Sequence, residues 1–77
     1  MNLYHILNDD DCAEVRRFIV QRNLMEQINF RNIDRSESAT KDLMALQGSA
    51  QVPFLEKGDL RLSGKVAILT YLQSFSS

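Results

Sequence analysis

Hydrophobic positions along this 77-residue chain fall in short clusters whose period switches between strand-like and helix-like. Leu3 to Leu7 is nearly continuous in apolar character and predicts a short strand covered on both faces. Asn8-Asp9-Asp10-Asp11 ends it. Asp11 and Glu14 stand three apart, as in a capping box, and predict a helix from about Cys12 to Asn23. Cys12, Val15 and Ile19 lie at i, i+3 and i+7 with Phe18 beside them, which predicts a buried stripe. Arg16, Arg17 and Arg22 lie mostly on the other side. Ile28 to Ile33 predicts a second strand, with Ile28 and Phe30 on one face. Asp34-Arg35-Ser36 leads into a second helix over about Glu37 to Leu46. Its stripe is Ala39, Leu43 and Leu46, and Gly48 is its C-terminal cap.

The stretch from Gln51 to Leu72 carries the densest signals. The only proline, Pro53, follows Val52. Proline cannot donate to a sheet ladder, so it belongs at the mouth of a strand or in a turn. A lone X-Pro there is a candidate cis bond. Phe54-Leu55, a turn at Gly58-Asp59, then Leu60 and Leu62 predict two strands. Ala67, Ile68, Leu69 and Leu72 predict a final amphipathic helix. The order is β-α-β-α-β-β-α: an α/β domain with a four-stranded mixed sheet and three helices. The first βαβ unit predicts parallel strands in a right-handed crossover, and the last hairpin an antiparallel edge.

Size and charge narrow the classes. The length predicts a single domain, 1–77, small enough to depend on each core contact. The formal net charge of -1 argues against a nucleic-acid partner. No run approaches the roughly 20 apolar residues of a membrane span. Met1 to His5 lacks the basic and long apolar regions of a secretory leader. A single cysteine, Cys12, cannot form an internal disulfide, and the expected setting is reducing and cytoplasmic. Ser74 to Ser77 is expected to fray. His5 has no partner at metal spacing and reads as packed or hydrogen-bonded. Tyr4 reads as core, Asp9 to Asp11 as a cap and solvated loop. Arg16 and Arg17 read as a solvated helix face, Met25 and Met44 as gap fillers.

Val52-Pro53, the hairpin after it, and Leu62, Ala67-Ile68 and Tyr71-Leu72 resemble the end of a glutaredoxin or of a glutathione transferase N-terminal domain. Both are thioredoxin-like folds. Leu3-Tyr4, a loop and Val15-Arg16 resemble their first strand and first helix, so the resemblance covers nearly the whole chain. It implies a thioredoxin-like fold, glutathione as ligand, and redox chemistry in the loop before the first helix. A typical glutaredoxin carries Cys-Pro-Tyr-Cys in that loop. Here the motif falls on Asp9-Asp10-Asp11-Cys12, with Asp9 at the nucleophile's place and Cys12 at the resolving position. A loop shift would bring Cys12 to the first place at the cost of the register with Val15-Arg16. A reactive thiolate needs an electropositive setting. A helix N-terminus supplies roughly 0.3–1 kcal/mol of that at an exposed site, and Asp9, Asp10, Asp11 and Glu14 oppose it. Cys12 therefore reads as a small buried hydrophobe, and disulfide oxidoreductase activity is expected to be weak or absent.

The resemblance implies two further glutathione contacts. Val52, before the cis-proline, would pair its backbone with the peptide. The start of the last helix would receive the γ-glutamyl carboxylate, as helix N-termini receive anions. Transferases often carry Glu-Ser there, where this chain has Gly64-Lys65. Lys65 could attract a carboxylate, but the serine hydroxyl and the acid for the ligand's ammonium are gone. Two functions are expected: a glutathione-linked, glutaredoxin-like domain with an altered site, or a non-catalytic adaptor that docks a protein partner. A full transferase is not expected, because its large helical domain has no counterpart in these residues.

Overall fold

The computed structural model describes residues 1–75. The elements are β1 (Asn2–His5), α1 (Asp10–Gln21), β2 (Asn29–Asn32), α2 (Glu37–Gln47), β3 (Phe54–Lys57), β4 (Leu60–Ser63) and α3 (Lys65–Phe75). A 3₁₀ turn, Met25–Gln27, links α1 to β2. The strands form one sheet in the order β2-β1-β3-β4. β1 and β2 run parallel, while β3 is antiparallel to both β1 and β4. The chain is therefore α/β with a four-stranded mixed sheet and three helices, as the hydrophobic pattern predicts.

Alternation along β1 and β3 decides the layers, because successive side chains leave opposite faces of a strand. Leu3 and Leu55 are cross-strand partners, and they pack with Val15 and Ile19 of α1 and Ile68 and Leu72 of α3. Tyr4 and Phe54, the next pair, face the other way and pack with Ala39 and Leu43 of α2. Two helices thus cover one face and one helix the other. Each fully buried leucine or isoleucine contributes about 1.5–3 kcal/mol, so these few residues dominate the stability of so small a domain.

The element ends differ from expectation for local reasons. β1 stops at His5 rather than Leu7, and Leu7 is exposed in the following turn. Arg16 takes the Ile6 carbonyl at 2.8 Å, which would otherwise be free to extend the ladder. α1 starts at Asp10, two residues earlier than expected, with Asp9 rather than Asp11 as its N-cap. It closes in a Schellman pattern: the Leu24 amide donates to Ile19 and the Asn23 amide to Val20. Asn23 sits at φ 57°, a left-handed conformation that asparagine tolerates. β2 starts at Asn29, because the Ile28 amide closes the 3₁₀ turn on Met25. Met25 and Met44 are exposed and fill no core gap. α3 runs through Ser74 to Phe75, so the expected fraying does not begin at Ser74; Ser76 and Ser77 lie outside the described residues.

α2 follows the sequence closely. The Ser36 hydroxyl accepts from the Ala39 amide at 3.2 Å, and Gly48 ends the helix at φ 76°. A Cβ at Gly48 would meet nothing within 4 Å, so only the backbone conformation selects glycine there. Gly48→Ala is expected to cost about 1 kcal/mol, the penalty of a side chain in the left-handed region. Urea unfolding measures it, and an unchanged midpoint would refute the assignment of this cap.

Candidate functional site

The three helices all begin at one end of the sheet. β1 and β2 point their C-terminal ends there, leading into α1 and α2. Ser63, the last residue of β4, pairs with Phe54, the first of β3, so the Val52-Pro53 turn and the start of α3 meet at the same end. The Gly64 amide donates to the Pro53 carbonyl at 3.0 Å. The Lys65 ammonium lies 3.4 Å from Glu14 Oε1 and 3.6 Å from Asp11 Oδ1. Asp9 to Glu14, Val52-Pro53 and Gly64-Lys65 are thereby tied into one cluster, although they span most of the sequence.

At its centre Asp9 Oδ2 accepts the Cys12 amide at 2.9 Å. That bond, first of all, holds the Asp9 carboxyl below its usual value, with the Asp11 amide and Arg16 adding to it and slight burial opposing. Cys12 is fully buried, one of three buried residues of α1 with Val15 and Ile19. Burial pushes its thiol up to about 11, and the Asp9 carboxylate adds to the shift against the Ile6 backbone and Arg16. Val52-Pro53 is cis, as expected, and Pro53 is buried. Neither backbone polar group of Val52 is hydrogen-bonded among the described residues.

Lys65 has two carboxylate partners within the chain: Glu14, and then Asp11, raise its pKa. Glu14 correspondingly makes no capping box; it bridges α1 to α3. Gly64 stands at φ 93° and leads straight into α3.

Arg16 also departs from expectation. Rather than lying on a solvated face, it is half-buried and binds the β1–α1 loop through the Ile6 and Leu7 carbonyls at 2.8 and 3.4 Å. Its Nη1 lies 3.1 Å from His5 Nδ1, which acts as acceptor because the guanidinium can only donate. His5 is buried, with its ring edge-on to Phe30. Arg17 remains exposed, as expected. The signal for Arg16 was its place four residues after Cys12, which puts both on one side of α1.

Burial, and secondly Arg16, lower the pKa of His5. The folded state therefore keeps the ring neutral, while the unfolded chain takes up its proton near pH 6.5. Stability from this group is complete above that value and is lost as pH falls through the lower folded value. The urea midpoint is expected to drop between about pH 8 and pH 5, and His5→Gln is expected to flatten that drop. An equal drop in the variant would refute the assignment.

A separate cleft of about 630 Å³ lies where β2 leads into α2, lined by Ile33, Asp34, Arg35, Ser36, Lys41 and Met44. It includes none of the expected site residues, and nothing in the hydrophobic pattern pointed to it. Among the described residues no group of three or more His, Cys, Asp or Glu could hold a metal ion, and no helix is long and apolar enough to cross a membrane. Searches against protein-family models, curated proteins and solved structures find no match.

Proposed function

We propose that this chain is a glutaredoxin-like domain of the thioredoxin-like group, related to glutathione-linked thiol–disulfide chemistry, in which disulfide oxidoreductase activity is weak or absent. The element order, the mixed four-stranded sheet and the meeting of Asp9, Val52-Pro53 and Gly64 at one end support the family reading. The observation that carries the functional reading is the Asp9–Cys12 pair. Thiol–disulfide exchange begins when a thiolate attacks a disulfide sulfur. At the nucleophile's place stands a carboxylate, which occupies the helix N-terminus and its amide in the thiolate's stead. The remaining thiol, with a pKa of about 11, has only about one part in 10⁴ as thiolate at pH 7, and it is sealed from solvent.

Glutathione would be held by the open Val52 backbone and the first turn of α3. Its affinity is weak, because its carboxylate must compete with Glu14 and Asp11 for Lys65. The direct assay is glutathione-dependent reduction of a small mixed disulfide. The expected rate is that of the uncatalysed reaction, and turnover like that of an ordinary glutaredoxin would overturn the proposal.

One observation favours a second reading, a non-catalytic adaptor that docks a protein partner. Leu7 and Val66 expose 53% and 73% of their surface, one in the β1–α1 loop and the other in the first turn of α3. Apolar side chains beside the site suit a protein surface better than a charged tripeptide. Saturable glutathione binding to the folded domain separates the first reading from this one.

A further inference from the structure

Tyr4 is 1% exposed, yet its hydroxyl forms no hydrogen bond among the described residues. Among the described residues no sealed side-chain oxygen lacks a partner, so this hydroxyl must keep contact with solvent. It does so in a second cleft, of about 290 Å³, lined by Asn2, Tyr4, Arg31, Asp42, Leu46 and Glu56. The cleft lies under α2, near the N-terminal end of β1, where Asn2 pairs with Glu56. That is the opposite end of the strand from Asp9. Buried tyrosine hydroxyls ordinarily find a partner within the protein; this one opens onto the cleft instead, where water or a ligand group completes it.

The remaining groups set the ligand's charge. Arg31 is already committed: it pairs with Asp42 at 2.9 Å and lies over the Tyr4 ring. The Asn2 amide is spent as well, donating to Glu56 Oε1 and accepting from Asn29. Two carboxylates line the cleft against one guanidinium, and among the described residues Arg61, opposite Glu56 on β4, makes no ion pair with it, so the lining carries a net charge of -1. Leu46 belongs to the last turn of α2, the end of a helix that favours cations. The acceptors left over are the Tyr4 hydroxyl, the second oxygen of Glu56 and the second oxygen of Asp42. An ammonium group has three donors and no acceptor.

We propose that this cleft binds a small primary alkylammonium ion, with the Tyr4 hydroxyl and the Glu56 carboxylate among its acceptors. The volume is just below the usual range for ligand pockets and suits a ligand of a few heavy atoms. The site is separate from the Asp9 cluster and stands or falls independently of it. Burial raises the pKa of Tyr4, so the hydroxyl stays neutral and keeps its lone pairs available.

The test is titration of the isotope-labelled full chain with n-butylammonium, and in parallel with butyrate, which has the same stem and the opposite charge. Saturable amide shifts at Asn2, Arg31 and Leu46 are expected with the amine and none with the acid. Tyr4→Phe and Glu56→Gln are each expected to weaken binding by about tenfold or more, since each removes a hydrogen bond to a charged group. Glu56 is only partly buried, so Glu56→Gln decides alone if Tyr4→Phe does not fold. A third arm uses a blocked lysine: tighter binding than butylammonium assigns the site to lysine side chains, and equal or weaker binding to free amines. Shifts of equal size with butyrate, no saturation, or binding untouched by the variants that fold would overturn the proposal.

Discussion

Asp9→Cys is expected to give the chain its first reactive thiol, labelled at neutral pH about 300-fold faster than Cys12. The factor follows from ionisation alone. A thiol of ordinary pKa, about 8.5, is roughly 3% thiolate at pH 7, against about 0.01% for a thiol near 11. The position adds to this. The Cys12 amide that now donates to Asp9 Oδ2 would face a thiolate instead, and the dipole of α1 favours the ionised form. Loss of the carboxylate cap costs about 1 kcal/mol. Asp10 and Asp11 still oppose the thiolate, so Asp10→Pro and Asp11→Tyr should accelerate labelling further. Asp10 is the first residue of α1, a position that accepts proline. With the loop neutralised, glutathione-dependent reduction of a small mixed disulfide is expected to appear. Gly64→Glu with Lys65→Ser is expected to cost about 1–2 kcal/mol, because a side chain at φ 93° is strained, and to raise glutathione binding without turnover. A slow, buried thiol in Asp9→Cys would contradict the geometry of the cap.

Leu55→Ala is expected to destabilise the fold by about 2–5 kcal/mol, the range for deleting a buried leucine. Leu55 is fully buried on β3, an inner strand of the sheet, between Leu3 and Leu62. Its side chain belongs to the cluster that joins α1 and α3 to the sheet. A domain of this size holds only about 4–12 kcal/mol in total, so the substitution removes a large share of it, from about a sixth upward. Val66→Ala is the control: Val66 is mostly exposed, and its truncation should stay within about 0.5 kcal/mol. Urea unfolding of both variants measures the contrast. Equal effects would mean that the core is not where the packing puts it.

The features that could be read from the sequence are those settled by neighbours in the chain. α2 has one serine placed to cap its start and one glycine placed to end it, and both do so. The Val52-to-Leu72 stretch combines proline, a Gly-Asp turn and a helical stripe, and its strands and helix fall where that combination puts them. The start of α1 was ambiguous because three consecutive aspartates can each cap a helix. Glu14, three residues after Asp11, imitated a capping box. Its carboxylate instead meets Lys65, 51 residues later, and no local pattern encodes that. Arg16 was misread for the same reason: its partners are carbonyls of the preceding loop and a strand histidine. The cleft at Tyr4 was invisible because it is assembled from β1, β2, β3 and α2 together.

The most direct measurement is a glutathione titration of the wild-type chain followed by backbone amide and Cys12 Cβ shifts. The account predicts weak, saturable shifts at Val52, Gly64 and Lys65, with Cys12 remaining a protonated, unmodified thiol throughout. Unmoved amides at these three residues at millimolar glutathione, or a Cys12 shift that reports a mixed disulfide, would contradict it.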